Sequence, residues 1–155
     1  MKKTVALLWA MIAIFTLFGC SGEKYTKDGV TLTLSGDFAE TELYNVQSVH
    51  VAYSSGDVIV AVFKDGGHED STMTVEEYAR QWSMRHVYES GGIEKNGNRA
   101  VLEHGINYGE GDHTSYTAFY KEGDTFWIIQ FFCPDEVYAK YRSSFKSWAE
   151  KVEFN

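Results

Sequence analysis

The chain has 155 residues and a formal net charge of −8, from 22 acids against 14 lysines and arginines. That length suits one domain with one core, and the acidic balance argues against a nucleic-acid partner and against electrostatic adhesion to anionic lipid. Two cysteines, Cys20 and Cys133, are too few for a disulfide scaffold.

Lys2 and Lys3 precede an apolar run from Val5 to Phe18 that stops at Gly19 and Cys20. A basic segment, an apolar segment and a small residue in that order have the layout of a secretory signal. The run is 14 residues long, short of the roughly 20 that a membrane-spanning helix needs. Leu17-Phe18-Gly19-Cys20 resembles the lipobox of bacterial lipoproteins, with Phe18 standing where that family prefers Ala, Ser, Thr or Val. The resemblance implies that residues 1–19 are removed and that Cys20 becomes the mature N-terminus. Cys20 would carry acyl chains, palmitate among them, and hold the protein at the extracytoplasmic face of a cell membrane or in the periplasm. One acyl chain anchors marginally and two hold firmly, so the lipid would suffice without help from the acidic surface. Cleavage there would leave 136 residues at −10, because residues 1–19 hold two lysines and no acid.

Residues 20–29 are short, polar and charged and read as a tether, with the domain proper at 30–155. Val30, Leu32 and Leu34 alternate with threonines and predict a first strand. Gly36 to Asn45 has no period. Val49, Val51 and Tyr53 alternate with His50 and Ala52, which puts His50 on the other side of its strand. Ser54-Ser55-Gly56-Asp57 then turns the chain into the apolar run Val58–Phe63, a hairpin whose second strand reads as covered on both faces. After a charged loop, Thr74-Val75-Glu76-Glu77 fits a capping box, and Val75, Tyr78, Ala79, Trp82 and His86 form one helical stripe over 74–88. Gly91-Gly92 ends that helix.

The second half predicts a meander. Asn96-Gly97, Gly109-Glu110-Gly111-Asp112 and Glu122-Gly123-Asp124 separate strands, of which Thr125–Cys133 is nearly continuous in apolar residues, the mark of a central strand. Pro134, Asp135 and Glu136 open a helix over 134–151, with Val137, Tyr141, Phe145, Trp148 and Val152 on its apolar face. Turns this short exclude crossovers and therefore a parallel doubly wound sheet.

This order, with Thr74, Glu77, Tyr78 and Ala79 opening the first helix and Phe126, Tyr138, Tyr141, Phe145 and Trp148 near the end, resembles the PsbP-like superfamily over about residues 25–155. Its members include an extrinsic subunit of the photosynthetic oxygen-evolving complex, a Ran-binding nuclear-import factor and bacterial lipoproteins of the DcrB type. The resemblance implies an α+β domain, an antiparallel sheet of about six strands sandwiched by helices, used for docking partners and not for turnover. It carries no functional residue onto this chain.

Few residues have the chemistry of a site. His68, Glu69 and Asp70, with Asp65 nearby, form the densest ligand-like cluster, but adjacent residues of an extended chain point apart. Glu110, Asp112 and His113 occupy a second polar turn that lacks the calcium-loop spacing. Both read as solvated loops with no metal or cofactor, and at sheet ends they converge only if both lie at the same end. His104, between Leu102 and Ile106, reads as a hydrogen-bonded core histidine. Cys133 reads as a small buried apolar residue, the alternative being a thiol activated at a helix start. No nucleophile elbow, zinc-protease, phosphate-loop or dithiol motif is present. The expectation is a non-enzymatic, lipid-anchored binding or scaffolding protein that docks a protein or envelope partner, a basic one by charge. A small-ligand or cation-binding module is the alternative, and a hydrolase with its catalytic pair among the acids and histidines stands third.

Overall fold

Two-residue turns set the topology. Gly56-Asp57, Gly97-Asn98 and Gly123-Asp124 each join two antiparallel neighbours, and Gly97 takes the positive φ (66°) that such a turn needs. The computed structural model describes residues 22–68, 72–86, 92–109 and 111–155. Along these run β1 (Glu23–Lys27), β2 (Val30–Leu34), β3 (Ala39–Glu40), β4 (Val49–Ser55), β5 (Val58–Asp65) and α1 (Val75–His86). Then come β6 (Glu94–Asn96), β7 (Arg99–Tyr108), β8 (Gly111–Glu122), β9 (Thr125–Pro134), α2 (Asp135–Ala149) and β10 (Glu153–Phe154). A seven-stranded sheet in the order β3-β4-β5-β9-β8-β7-β6 is accompanied by a three-stranded one in the order β1-β2-β10, and every pairing is antiparallel.

The apolar run Thr125–Cys133 becomes β9, the middle strand of the large sheet. It has reason to be apolar on both sides. On one face Trp127, Ile129, Phe131 and Cys133 join Val58, Val60 and Val62 under β2 and α2, with Phe145 and Trp148 pressed into them. On the other face Phe126 and Ile128 join Phe119, Ala100 and Leu102 under Tyr78 and Ala79 of α1. The molecule is thus layered as α1, the large sheet, then α2 with the small sheet. Burying a side chain the size of Phe145 contributes about 1.5–3 kcal/mol.

The capping box of α1 is formed as its sequence demands: the Glu77 N–H donates to Thr74 Oγ1 at 3.2 Å, and the Thr74 N–H donates back to Glu77 Oε2 at 2.8 Å. At the other end of the chain, the Tyr120 hydroxyl donates to the Ala149 carbonyl at 2.6 Å, closing one of the orphan carbonyls of α2.

Three sequence expectations are corrected. The tether of residues 20–29 is in large part β1, where Tyr25 packs on Tyr53 at 5.1 Å and on Phe38 at 6.1 Å. Its outward face is charged, and only Tyr25 gave the strand away. The helix expected to run to residue 151 ends at Ala149, and the chain pairs Glu153 and Phe154 with β2. The large sheet has seven strands, in line with the antiparallel sheet of about six that the sequence predicts. His50 does not point away from Val51: a bulge between Val49 and Val51 inserts a residue into the ladder, and His50 leans edge-on onto Trp127, on the α2 side, at 5.4 Å.

Candidate functional groove

Helix α1 lies over β7 and β8 and is only 12 residues long, so the α1 face of β5 and β9 is left partly uncovered. The result is a groove of about 810 Å³. Its floor is Phe63, Ile128, Gln130, His104 and Ile106; one wall is Tyr78, Trp82, Arg85 and His86 of α1, and the other is Val46, Gln47 and Ser48. The second wall belongs to an irregular segment whose turns hold Asn45 at φ 57° and Ser48 at φ 64°. For a serine that left-handed conformation costs about 1–2 kcal/mol, so the groove is flanked by backbone held away from its preferred state. Tyr44, at 75% exposure, and Val46 are exposed apolar side chains of the same segment.

The floor carries a hydrogen-bonded chain. Thr117 Oγ1 lies 2.9 Å from Ser115 Oγ and 2.9 Å from His104 Nε2, while His104 Nδ1 meets the Gly105 carbonyl at 3.1 Å. The carbonyl can only accept, so Nδ1 bears the proton and Nε2 accepts from Thr117. Burial lowers the pKa of His104, with a smaller opposing effect from the Gly105 carbonyl. Although a hydroxyl beside an imidazole has the look of a nucleophile and its base, Ser115 and Thr117 are wholly buried and no substrate atom can reach them. The chain is a satisfied polar core under the groove.

The α1 wall is braced at its start. The Tyr78 hydroxyl donates to Asp65 Oδ2 at 2.7 Å, and its ring stacks on Phe126 at 4.1 Å with 3° between planes. Burial, and then the Asp65 carboxylate, push the Tyr78 hydroxyl well above the usual tyrosine range. Further along, His86 stacks on Trp82 at 4.7 Å, with its Nδ1 on the Trp82 carbonyl at 2.8 Å.

The loop residues singled out from sequence are held apart. His68 is at the Phe126 end of β9, its ring 5.1 Å from Phe126 and its Nε2 3.3 Å from Asp65. His113 pairs with Pro134 at the other end of β9 and sets its Nδ1 2.9 Å from the Gly111 carbonyl. Eight residues of strand separate the two ends, about 27 Å, so His68 cannot share a ligand with Asp112 or His113. Glu69 and Asp70 lie outside the described residues, as do Gly91, Glu110 and the lipidation candidate Cys20. His104 is the hydrogen-bonded core histidine that its strand position predicts. Cys133 is buried, and desolvation, helped by Asp57 and Asp135, pushes its thiol up to about 11, the opposite of activation.

Sequence reading passed over Ser115, Thr117 and Gln130. The signal existed: Gln130 is the single polar residue inside the run Phe126–Cys133, and Ser115 and Thr117 alternate with the Tyr116, Ala118 and Tyr120 face that drew attention.

The layered order of the described residues matches solved structures. Cyanobacterial PsbP (CyanoP) of Synechocystis sp. PCC 6803 superposes with a TM-score of 0.64 at 10% identity, over 89% of this chain and 95% of that one. The fold is PsbP-like. A Bacteroides thetaiotaomicron VPI-5482 protein matches with a TM-score of 0.59 at 12% identity, over 88% of this chain and 49% of its own. The Pseudomonas aeruginosa protein PA94 matches with a TM-score of 0.50 at 10% identity, over 83% and 94%. No protein-family model matches the chain, and no curated protein matches it in sequence. At such identities the likeness establishes the PsbP-like fold alone, which hosts its functions through sites grafted on it.

Proposed function

We infer that this chain is an exported, lipid-anchored binding protein that holds a partner in the α1 groove without turning it over. The observation that carries this reading is the groove itself: an apolar floor of Phe63, Ile128 and Ile106, the Trp82 and His86 wall, and a polar rim of Asp65 and Arg85. Apolar centres with polar rims and an aromatic anchor are what partner-binding surfaces are made of. The anchor geometry is compatible with it. Gly22, two positions after Cys20, borders a cleft on the α2 side that Ser143, Ser147 and Trp148 also line, so a lipid on Cys20 is compatible with an α1 face turned to the aqueous compartment. No helix among the described residues is long and apolar enough to cross a membrane.

The groove volume also falls within the range of about 300–1,000 Å³ used by small-molecule sites, which keeps a small ligand as the second reading. Affinity capture from native membranes separates the two. With Val46→Asp on the exposed rim, the binding reading expects a captured protein to be lost; a partner retained equally by wild type and variant contradicts it, and a small molecule released from the denatured wild type alone favours the second reading.

A further inference from the structure

Gly22 fixes where an anchor would leave the fold. A Cβ on it would come 2.7 Å from the Leu34 carbonyl oxygen, so the chain lies flush on β2 there, and β1 begins at the next residue. Two residues reach at most about 7 Å, so acyl chains on Cys20 would enter a bilayer within that distance of Gly22. The surface around Gly22 is then brought to the lipid headgroups. That surface is one flank of α2, because Ser143, Ser144, Ser147 and Lys151 line the same cleft as Gly22. Removal of residues 1–19 would leave only Cys20 and Ser21 ahead of Gly22, too little chain to cover a helix of 15 residues, about 22 Å long.

The charge of that flank runs against the charge of the chain. Lys140, Ser144 and Ser147 recur at i, i+4 and i+7, one stripe of the helix, and Lys151 follows just beyond its end. Lys140 and Lys151 are exposed, and neither has an ion-pair partner among the described residues; Lys140 lies over the Tyr141 ring at 4.8 Å. Of the neighbouring acids, Glu150 is paired with Arg99 and Glu153 with Lys24, while Glu136 sits one turn ahead of Lys140. Hydroxyls lie between and beside the lysines. Ser35 accepts from Trp148 Nε1 at 3.1 Å and keeps its own O–H for an outside acceptor. Unpaired ammonium groups among hydroxyl donors suit phosphate oxygens, which accept charge-assisted hydrogen bonds. In the turns and loops outside α2, by contrast, Glu42, Asp57, Asp112 and Glu122 are exposed acids.

Resting on the reading that Cys20 carries lipid, we propose that the 140–151 flank of α2 lies on the bilayer and binds the phosphates of anionic phospholipid. The acyl chains supply the adhesion, which a chain of net negative charge would not draw from an anionic surface. The flank supplies the orientation: lysines close to such a surface are attracted to it, and the acidic faces are repelled. The consequence for the groove is direct. Helices α1 and α2 cover opposite faces of the large sheet, so a bilayer under α2 turns the α1 groove to the aqueous compartment.

The test uses the lipidated full-length protein in nanodiscs, either zwitterionic or containing phosphatidylglycerol, and a polyethylene-glycol maleimide that does not enter the bilayer. Cys133 is buried and acylation consumes the Cys20 thiol. Ser143→Cys on the flank and Met84→Cys on α1, where Met84 is 73% exposed, therefore each supply one reactive site. The change from zwitterionic to anionic discs should slow labelling at position 143 by about tenfold and leave position 84 within about twofold. Lys140→Gln together with Lys151→Gln should abolish the slowing while Cys20 stays acylated. Equal slowing at both positions, slowing at 84 alone, no slowing at either, or slowing that survives the loss of both lysines would each overturn the proposal. Intact mass separates the two readings. Acylated Cys20 with an unslowed position 143 removes the orientation and leaves the anchor standing, whereas an unmodified Cys20 removes both.

Discussion

His104 and Thr117 face each other across the β7–β8 ladder under the groove, imidazole Nε2 to hydroxyl at 2.9 Å, in a site where the histidine is only 4% exposed. Burial depresses the pKa of this histidine below its usual 6.5. The unfolded chain therefore takes up a proton first as pH falls, so the stability that neutral His104 contributes is complete above about pH 6.5 and declines as pH drops below it. Urea unfolding between pH 8 and pH 5 should show this decline in the wild type. His104→Gln, which keeps a polar partner for Thr117, should flatten it; an unchanged slope would mean that His104 stays solvated.

On the opposite face Glu103 accepts from two Arg142 nitrogens, Nε at 2.8 Å and Nη2 at 2.5 Å, and from the Tyr138 hydroxyl at 2.5 Å. The Arg142 bond first, and then Tyr138, hold the Glu103 carboxyl below the usual carboxylate range against the opposing effect of burial. Its contribution is therefore present above the unfolded carboxylate pKa near 4.5 and is lost as pH falls through the lower folded value. The Arg142 side chain is 60% exposed, so solvent screening holds the pair to about 0.5–1 kcal/mol. A double-mutant cycle of Glu103→Gln and Arg142→Met should give that coupling at pH 7, and the coupling should shrink once the pH falls below the unfolded carboxylate value.

Cys133 tests the packing from another side. It is fully buried on the α2 face of β9 with its thiol pushed up to about 11. A thiol-specific reagent at pH 8 should label it only at the rate of global unfolding, and urea should bring the label in along the same transition that circular dichroism reports. Rapid labelling of the native protein would contradict the packing around Phe131 and Phe145.

Much of this fold is legible in the sequence because local chemistry and tertiary context agree: the capping box at Thr74, the turns at Gly56 and Gly97, and the doubly buried β9. The failures have one physical origin. β1 is a strand because β2 pairs with it, and β10 because the chain folds back after α2; neither has an apolar period of its own. The His50 bulge breaks the alternation that would assign its face. The groove is legible only in part, since Trp82 and His86 share one helical stripe with the buried Tyr78 and Ala79. Their partners Val46 and Gln130 come from segments brought beside α1 by strand order, which no spacing in the chain encodes.

Lipid attachment is tested at Cys20. Mass spectrometry of the membrane fraction should find a mature N-terminus at Cys20 with acyl chains, and Cys20→Ser should release the domain or block processing. A native chain that begins at Met1, or a mature form with unmodified Cys20, would contradict the anchor.

The central claim is that a partner lies in the groove between α1 and the 41–48 segment. The most direct measurement places a photo-reactive phenylalanine analogue at Val46, on the groove rim, and separately at Asp57, an exposed turn residue outside that groove, in cells expressing the full chain. The account predicts one cross-linked partner from position 46 and none from position 57, with the adduct at 46 lost on Trp82→Ala in protein that still unfolds cooperatively. Equal cross-linking from both positions, or an adduct at 46 indifferent to Trp82, would contradict it.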